Sequence, residues 1–219
     1  MILQIETGGV WKTVDSRKTA SMSIQVSDKL QRSLFRFIGG LKNGVTSLSI
    51  EQADQIGVDD IQYIYTPSLR RPRRVAPTER QNEFEDTDFT NEDLGGKKIS
   101  EYTYKRLPDE TYRDEACYVI EAYRKNLSNA KFYKFKSWLT KKHFIPIRSE
   151  SYNLDKRLSK KMFASNIKQY GNIFLAHQMQ AISVDKRHKT IIVVEMVRIN
   201  VPVNKNEFES NAMDAVWRI

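Results

Sequence analysis

The chain is poor in the residues that carry chemistry. Cys117 is its only cysteine, so no intramolecular disulfide can form. Its setting, ACYVIEA, reads as a buried strand in which a free thiol behaves as a small hydrophobe. The three histidines, His143, His177 and His188, stand at no metal-ligand spacing from one another or from Cys117, and neither HExxH nor CxxC occurs. A P-loop, a GxGxxG fingerprint and a GxSxG elbow are missing as well. The pairs Gly8–Gly9, Gly39–Gly40 and Gly95–Gly96 read as turn glycines, because no following helix presents its N-terminus to a phosphate. With no nucleophile–base pair and no metal cluster in view, the sequence names no catalytic residue and implies no cofactor. No run approaches the roughly 18 apolar residues of a membrane-spanning helix. The opening MILQIETGGVWKTVDS lacks the basic and then apolar segments of an export signal. The chain reads as soluble, and equally as a mature or trimmed form of an exported protein.

What is abundant is alternation. Met22, Ile24 and Val26 alternate with Ser21, Ser23 and Gln25, and Phe35 and Phe37 flank Arg36. Leu48 and Ile50 alternate with Ser47 and Ser49, and Ile61, Tyr63 and Tyr65 follow in the same rhythm. Strands are expected over residues 20–27, 32–39, 44–52, 60–67, 100–107, 116–125, 131–140, 144–153, 160–170, 173–184 and 189–201. A hairpin gap falls at Asp28–Lys29, and the segments 125–129, 153–158 and 185–189 read as polar hairpin tips. Short helices are expected at 90–94, where Thr90 caps and Asp93 answers it, and at 204–210. The 219 residues are enough to bury one core, and 1–219 is read as a single domain. A sheet of about ten strands curls and must cover its concave face with something apolar.

The charge is uneven. Thirty-six basic against 27 acidic residues leave a net charge of +9, which favours anionic surfaces without choosing among nucleic acid, lipid headgroups and acidic proteins. Arg70, Arg71, Arg73, Arg74 and Arg80 crowd together, with seven acidic residues close by: Glu79, Glu83, Glu85, Asp86, Asp88, Glu92 and Asp93. Nucleic-acid binding would need aromatic side chains interleaved with the cations, whereas the aromatics here precede them on a strand and the neighbouring carboxylates repel phosphates. The segment DTDFTNEDL lacks the glycine and the spaced glutamate of a calcium loop.

The same stretch carries a resemblance. YIYTPSLRRPRRV followed by FEDTDFTNEDL is similar to the outer membrane lipoprotein-sorting proteins, relatives of the LolA carrier. The match runs through Tyr65, Pro67, Leu69, Arg71, Arg73, Arg74 and Val75, then Asp88, Phe89, Thr90, Glu92, Asp93 and Leu94. YTYKRLPDETYRDEACYVIEA, KSWLTKKHFIPIRSESYN and VEMVRINVPVNKNEFESNAM resemble further family segments in the family's order, so the likeness covers most of the chain from about residue 20. It departs where Glu115 stands after Asp114 in place of a turn glycine.

The resemblance implies a mainly β fold: a strongly curved antiparallel sheet forming an unclosed β-barrel, with a helical or loop lid over a hydrophobic cavity. Residues 1–19 would be a shortened N-terminal lid segment. It further implies a non-enzymatic periplasmic carrier of lipid or lipoprotein acyl chains, in peripheral contact with membrane and with an inner-membrane permease of the RND type as a partner. The rival reading is a β-scaffold accessory protein that docks on such a permease through the charged loop and carries no lipid. Met22, Ile24, Val26, Phe35, Phe37, Leu48, Ile50, Tyr63 and Tyr65 are the expected cavity-facing residues. Alternation marks an apolar face but does not say whether that face meets a void or packed side chains. In the charged stretch, at least one of Arg71, Arg73 and Arg74 is expected to pair with an acidic residue of 83–93, latching that segment in place.

Overall fold

The computed structural model describes residues 1–27, 30–128 and 130–215. The expected turn at Asp28–Lys29 and the last residue of the 125–129 tip lie outside them. Fourteen strands follow one another: β1 (Ile2–Thr7), β2 (Val10–Ser16), β3 (Thr19–Ser27), β4 (Leu30–Phe37), β5 (Thr46–Ile50), β6 (Ile61–Thr66), β7 (Arg71–Arg74), β8 (Tyr102–Tyr112), β9 (Glu115–Arg124), β10 (Phe132–Thr140), β11 (Pro146–Asn153), β12 (Leu158–Tyr170), β13 (Ile173–Ser183) and β14 (His188–Val193). Among the described residues one short helix, α1 (Asn91–Gly95), and a few single 3₁₀ turns accompany the strands. The strands form two open antiparallel sheets, β2-β1-β14-β13-β12-β11-β10-β9-β8 and β3-β4-β5-β6-β7, and neither closes on itself. The fold is mainly β and unclosed, as the alternation and the resemblance lead one to expect.

Two compact units divide the chain. The first holds Ser16–Ser100 with Met1 and the stretch from Asn200 onward; the second holds Ile2–Asp15 and Glu101–Ile199. In the first unit, register fixes which side chains share a face. Met22 pairs with Leu34, Leu34 with Leu48 and Leu48 with Tyr63, so these four lie in one row across the five-stranded sheet. Phe35 and Phe37 fall on the other face, because successive strand residues point to opposite sides. Both faces are covered. Leu34, Leu48, Phe208 and Met213 form one buried cluster, and Phe37, Val45, Ile64, Val75 and Phe84 form another.

The nine-stranded sheet of the second unit curls. Tyr112 of β8 and Phe163 of β12 stack with ring centroids 6.4 Å apart, although β9, β10 and β11 lie between their strands. On a flat sheet four strand spacings would separate them by roughly 19 Å. The hairpin end of β8 and β9 therefore folds over the face that carries Cys117, Val119, Trp138 and Ile147, and these form that unit's buried cluster. Irregular pairing between Leu107 and Glu110 and between Trp138 and Leu139 supplies bends of the kind that β-bulges make.

Four expectations need revision. Most of the stretch 1–19, expected as a lid segment, is the β1–β2 hairpin, whose β1 pairs with β14. Arg71, Pro72, Arg73 and Arg74, outside the expected strands, form β7, an edge strand where proline and arginines discourage pairing with another chain. The last strand ends at Val193, well short of residue 201. The turn after β8 is Arg113–Asp114, both with left-handed φ (51° and 64°), so Glu115 already belongs to β9 and needs no glycine.

Candidate functional site

The expected cavity residues separate into two groups. Met22, Ile24, Ile50, Tyr63 and Tyr65 are half-buried around the fully buried Leu34 and Leu48. Phe37 and Phe35 lie on the opposite face among Val45, Ile64, Val75 and Phe84, where Phe37 stacks on Phe84 with centroids 5.6 Å apart. They cannot line the same surface as Tyr63. Val26 is exposed near the end of β3. Sequence reading missed Leu34 because Leu34 and Phe35 are adjacent and both apolar, so alternation alone does not say which one belongs with Met22.

A cover lies over the Leu34–Leu48 face. It is built from 3₁₀ turns at Lys205–Phe208 and Ser210–Ala212, with Asn204 capping the first through its side chain. Phe208 and Met213 from this segment are inserted into the cluster, and Val203 packs against it. Two arginines of β4 flank them. Arg32 pairs with Glu209 and reaches the Phe208 carbonyl, and Arg36 donates to the Ala215 carbonyl. Arg32 and Arg36 alternate with Leu34 on the same face, so one strand supplies both the apolar floor and the polar clasps.

The opposite face is closed by the charged stretch of the motif. The α1 helix is capped reciprocally: Asp93 N–H donates to Thr90 Oγ1 at 3.2 Å, and Thr90 N–H donates to Asp93 Oδ2 at 2.8 Å. Glu92 is buried and accepts from Gln81 at 3.0 Å; Asp88 and Phe89 are buried beside it in the chain. The predicted latch has different partners. Arg73 pairs with Glu79, which precedes the 83–93 segment, and both side chains are partly exposed. Ala76 N–H and then Arg73 hold the Glu79 carboxyl below the ordinary glutamate range. Leu69, Arg71 and Arg74 are exposed. The basic partners of 83–93 include Lys42, which reaches Glu85 at 2.9 Å and Asp86 at 3.0 Å, and Lys97, which reaches Asp93 at 3.1 Å. Glu85, followed by Asp86, raises the lysine pKa of Lys42 against the opposing effect of burial. Arg17 adds a hydrogen bond to the Glu85 carbonyl at 2.6 Å.

The buried anchor of this segment is Asp60. Lys98 lies 3.1 Å from its carboxylate and also donates to the Ala53 carbonyl at 2.8 Å. Arg80 stands 3.9 Å from Asp60, 3.6 Å from Asp59, and 3.3 Å from the Gly96 carbonyl. Arg80 and Lys98 bracket the segment, so two buried cations on one carboxylate hold both of its ends at the entrance of β6. Arg80 belongs to the arginine run of the sequence, but only the fold brings it to Asp60.

The second unit carries its polar groups on the curled face. Glu121 accepts from Lys134 at 2.8 Å and from the Tyr123 hydroxyl at 2.6 Å, and these two donors, Lys134 first, hold its carboxyl below the usual range. Glu110 is lowered chiefly by Trp138, whose indole donates at 2.7 Å, with Lys136 adding to it. Burial works to raise Glu150, yet hydrogen bonds from Arg148 and Tyr152 outweigh it and the net shift is downward. Burial first, and then the bond to Glu150, pushes Tyr152 up to about 12. Lys134 lies over the Tyr152 ring at 4.4 Å and Arg148 over Trp138 at 4.2 Å. These three carboxylates are held ionised, a state unlike the near-neutral pKa of a general acid or base. Among the described residues no group of three or more His, Cys, Asp or Glu side chains could hold a metal ion. Among the described residues no helix is long and apolar enough to cross a membrane.

A family model described as "-like: Uncharacterized protein" matches residues 29–215. Among curated proteins none matches the sequence. Solved structures share the fold. One, described as an outer membrane lipoprotein-sorting protein domain from Vibrio parahaemolyticus, superposes with a TM-score of 0.85 at 23% identity, covering 97% of this chain and 88% of that one. A DUF1329 family protein from Desulfovibrio piger gives 0.83 at 25% identity, with the same coverages of 97% and 88%. A LolA superfamily protein from Nitrosomonas europaea gives 0.61 at 13% identity over 95% of this chain and 89% of that one. The architecture is thus the LolA-like one that the motifs point to.

Proposed function

The chain belongs to the family whose model spans residues 29–215, and from that membership and the LolA-like fold we propose that it is a non-enzymatic periplasmic carrier of lipid or lipoprotein acyl chains. In this reading 1–219 acts as one functional domain that moves its cargo between a membrane and a partner protein. The observation that carries it is the covered apolar face: Met22, Ile24, Leu34, Leu48, Ile50, Tyr63 and Tyr65 beneath a short C-terminal cover. Acyl cargo would take the place of Phe208 and Met213. Leaving those pockets costs the cover about 2–3 kcal/mol for each side chain. Burying ten methylenes of an acyl chain returns roughly 8 kcal/mol before ordering costs. The exposed Arg32–Glu209 clasp adds about 0–1 kcal/mol to the closed form. The two terms are of similar size, so an acyl chain can exchange with the cover, while the cover keeps the empty face out of water.

The rival, a scaffold docking on an RND-type permease, draws support from the exposed arginines of β7. One experiment separates the two. The full chain is purified without detergent, extracted with organic solvent, and the extract examined by mass spectrometry. The carrier reading expects acyl lipid near one per protein, and a fluorescent fatty acid that competes with it. Protein that emerges lipid-free and binds no acyl probe would overturn the carrier. Loss of permease binding in an Arg73→Glu, Arg74→Glu variant of such a protein would establish the scaffold.

A further inference from the structure

In an antiparallel sheet every second hairpin tip falls at the same end. For the nine-stranded sheet, the tips after β1, β13, β11 and β9 share one end, and the strand order makes them successive neighbours along it. Two of the tips repeat a motif. Leu154-Asp155-Lys156-Arg157 follows β11 and Val184-Asp185-Lys186-Arg187 follows β13, each starting at the first residue past its strand. The other two present Val10, after the Gly8–Gly9 turn, and Leu127, beside Lys125. These four apolar residues are between 38% and 59% exposed. Single exposed apolar side chains are ordinary; one on each of four neighbouring tips is a pattern.

The cations complete it. Lys125, Lys131, Lys156, Arg157, Lys186 and Arg187 gather at this end, with Glu6, Glu101, Asp155 and Asp185 as the nearby acids, Glu101 being paired with Arg124. At the other end of the sheet, where Phe144 and Ile173 are also exposed, Arg113, Lys141, Lys142 and Lys168 stand with Asp109, Asp114 and Glu115, and Lys141 is paired with Asp109. The end whose four tips each carry an exposed Leu or Val is therefore the more basic of the two.

We infer that this end is a docking rim for an anionic bilayer. Apolar tips enter the headgroup boundary while the adjoining lysines and arginines meet lipid phosphates, the two terms that together hold a peripheral protein on a membrane. Nucleic acid would satisfy the cations but leave the four apolar tips in water. The rim does not depend on the carrier reading, since a protein that carries nothing can still dock.

The test uses lipid-stripped full chain and vesicles of phosphatidylcholine with and without phosphatidylglycerol, read by co-sedimentation. Binding is expected only with phosphatidylglycerol, and it weakens as salt is added. The Lys156→Glu, Arg157→Glu, Lys186→Glu, Arg187→Glu variant should bind at least about tenfold more weakly, because each basic residue near an anionic surface contributes about fivefold. Leu154→Ser with Val184→Ser should cost about threefold or more. Lys142→Glu with Lys168→Glu, at the other end, should stay within about twofold. A thermal melt confirms that each variant is folded. Failure of the unaltered protein to bind anionic vesicles, equal binding without phosphatidylglycerol, or unchanged binding by the folded four-site variant would each overturn the rim; the last would direct attention to an acidic protein partner.

Discussion

Phe208, near the end of the chain, shares a cluster with Leu48 in the central strand of the five-stranded sheet, and neither side chain exposes any surface. The contact joins a strand position that alternation marks to a residue whose partner no local pattern reveals. Removing Phe208 tests what the contact does. Phe208→Ala should lower stability by about 3–5 kcal/mol if nothing fills the space, as for any large core truncation. Under the carrier account the same variant binds an acyl probe more tightly, because the cover no longer competes. Chemical denaturation and probe titration together separate a cover from an ordinary core residue.

Asp60 should matter more than the arginines that dominate the motif. Asp60→Asn leaves Arg80 and Lys98 buried without their shared carboxylate, a loss of about 3–5 kcal/mol. Arg73→Ala removes a half-exposed pair with Glu79 and should cost at most about 1 kcal/mol. Urea midpoints of the two variants would show the contrast, and a larger loss at Arg73 would contradict the assignment of the anchor.

Gly44 is held in a place no other residue fits. Its φ is +85°, and an added Cβ would stand 2.8 Å from Cγ of Pro67, the proline that follows β6. Gly44→Ala should destabilise by about 2 kcal/mol or more, from left-handed backbone strain and from the approach to a rigid ring. A melting temperature unchanged from the parent would contradict this.

The second unit should be acid-sensitive. Glu110, Glu121 and Glu150 all have folded pKa values below the ordinary glutamate value. A depressed carboxylate stabilises the fold above its unfolded pKa and loses that contribution as pH falls through the folded one. Stability should hold above about pH 5 and decline from about pH 4 downward. Tyr152 has the opposite sign: with its pKa pushed up to about 12, its contribution is present below the usual tyrosine value and lost as pH rises toward 12. Circular-dichroism melts across pH, repeated on Glu121→Gln, would show the acid limb shrinking in the variant.

Much of the fold was legible because a half-buried strand writes its pattern locally. Eleven expected strands overlap β3–β6 and β8–β14, and the Thr90–Asp93 cap was visible in the five letters TNEDL. What stayed hidden depended on register or distance. The alternation around Phe35 and Phe37 was correct, but only the pairing of Leu34 with Met22 and Leu48 shows that these rings face away from Tyr63. The first hairpin carried a Gly8–Gly9 turn signal, yet its strand character comes from pairing with β14, far along the chain. The cover over Leu48 and the cations on Asp60 are likewise long-range, and composition cannot announce them.

The central claim, that acyl cargo lies on the Leu34–Leu48 face under the C-terminal cover, is tested most directly by photolabelling with a diazirine-bearing fatty acid and mapping the adducts by peptide mass spectrometry. The account predicts adducts on Met22, Ile24, Ile50, Tyr63 and Tyr65, with labelling at Phe208 or Met213 weakened when unlabelled fatty acid competes. Adducts confined to the Phe35–Phe37–Phe84 face, or labelling that no competitor reduces, would contradict it.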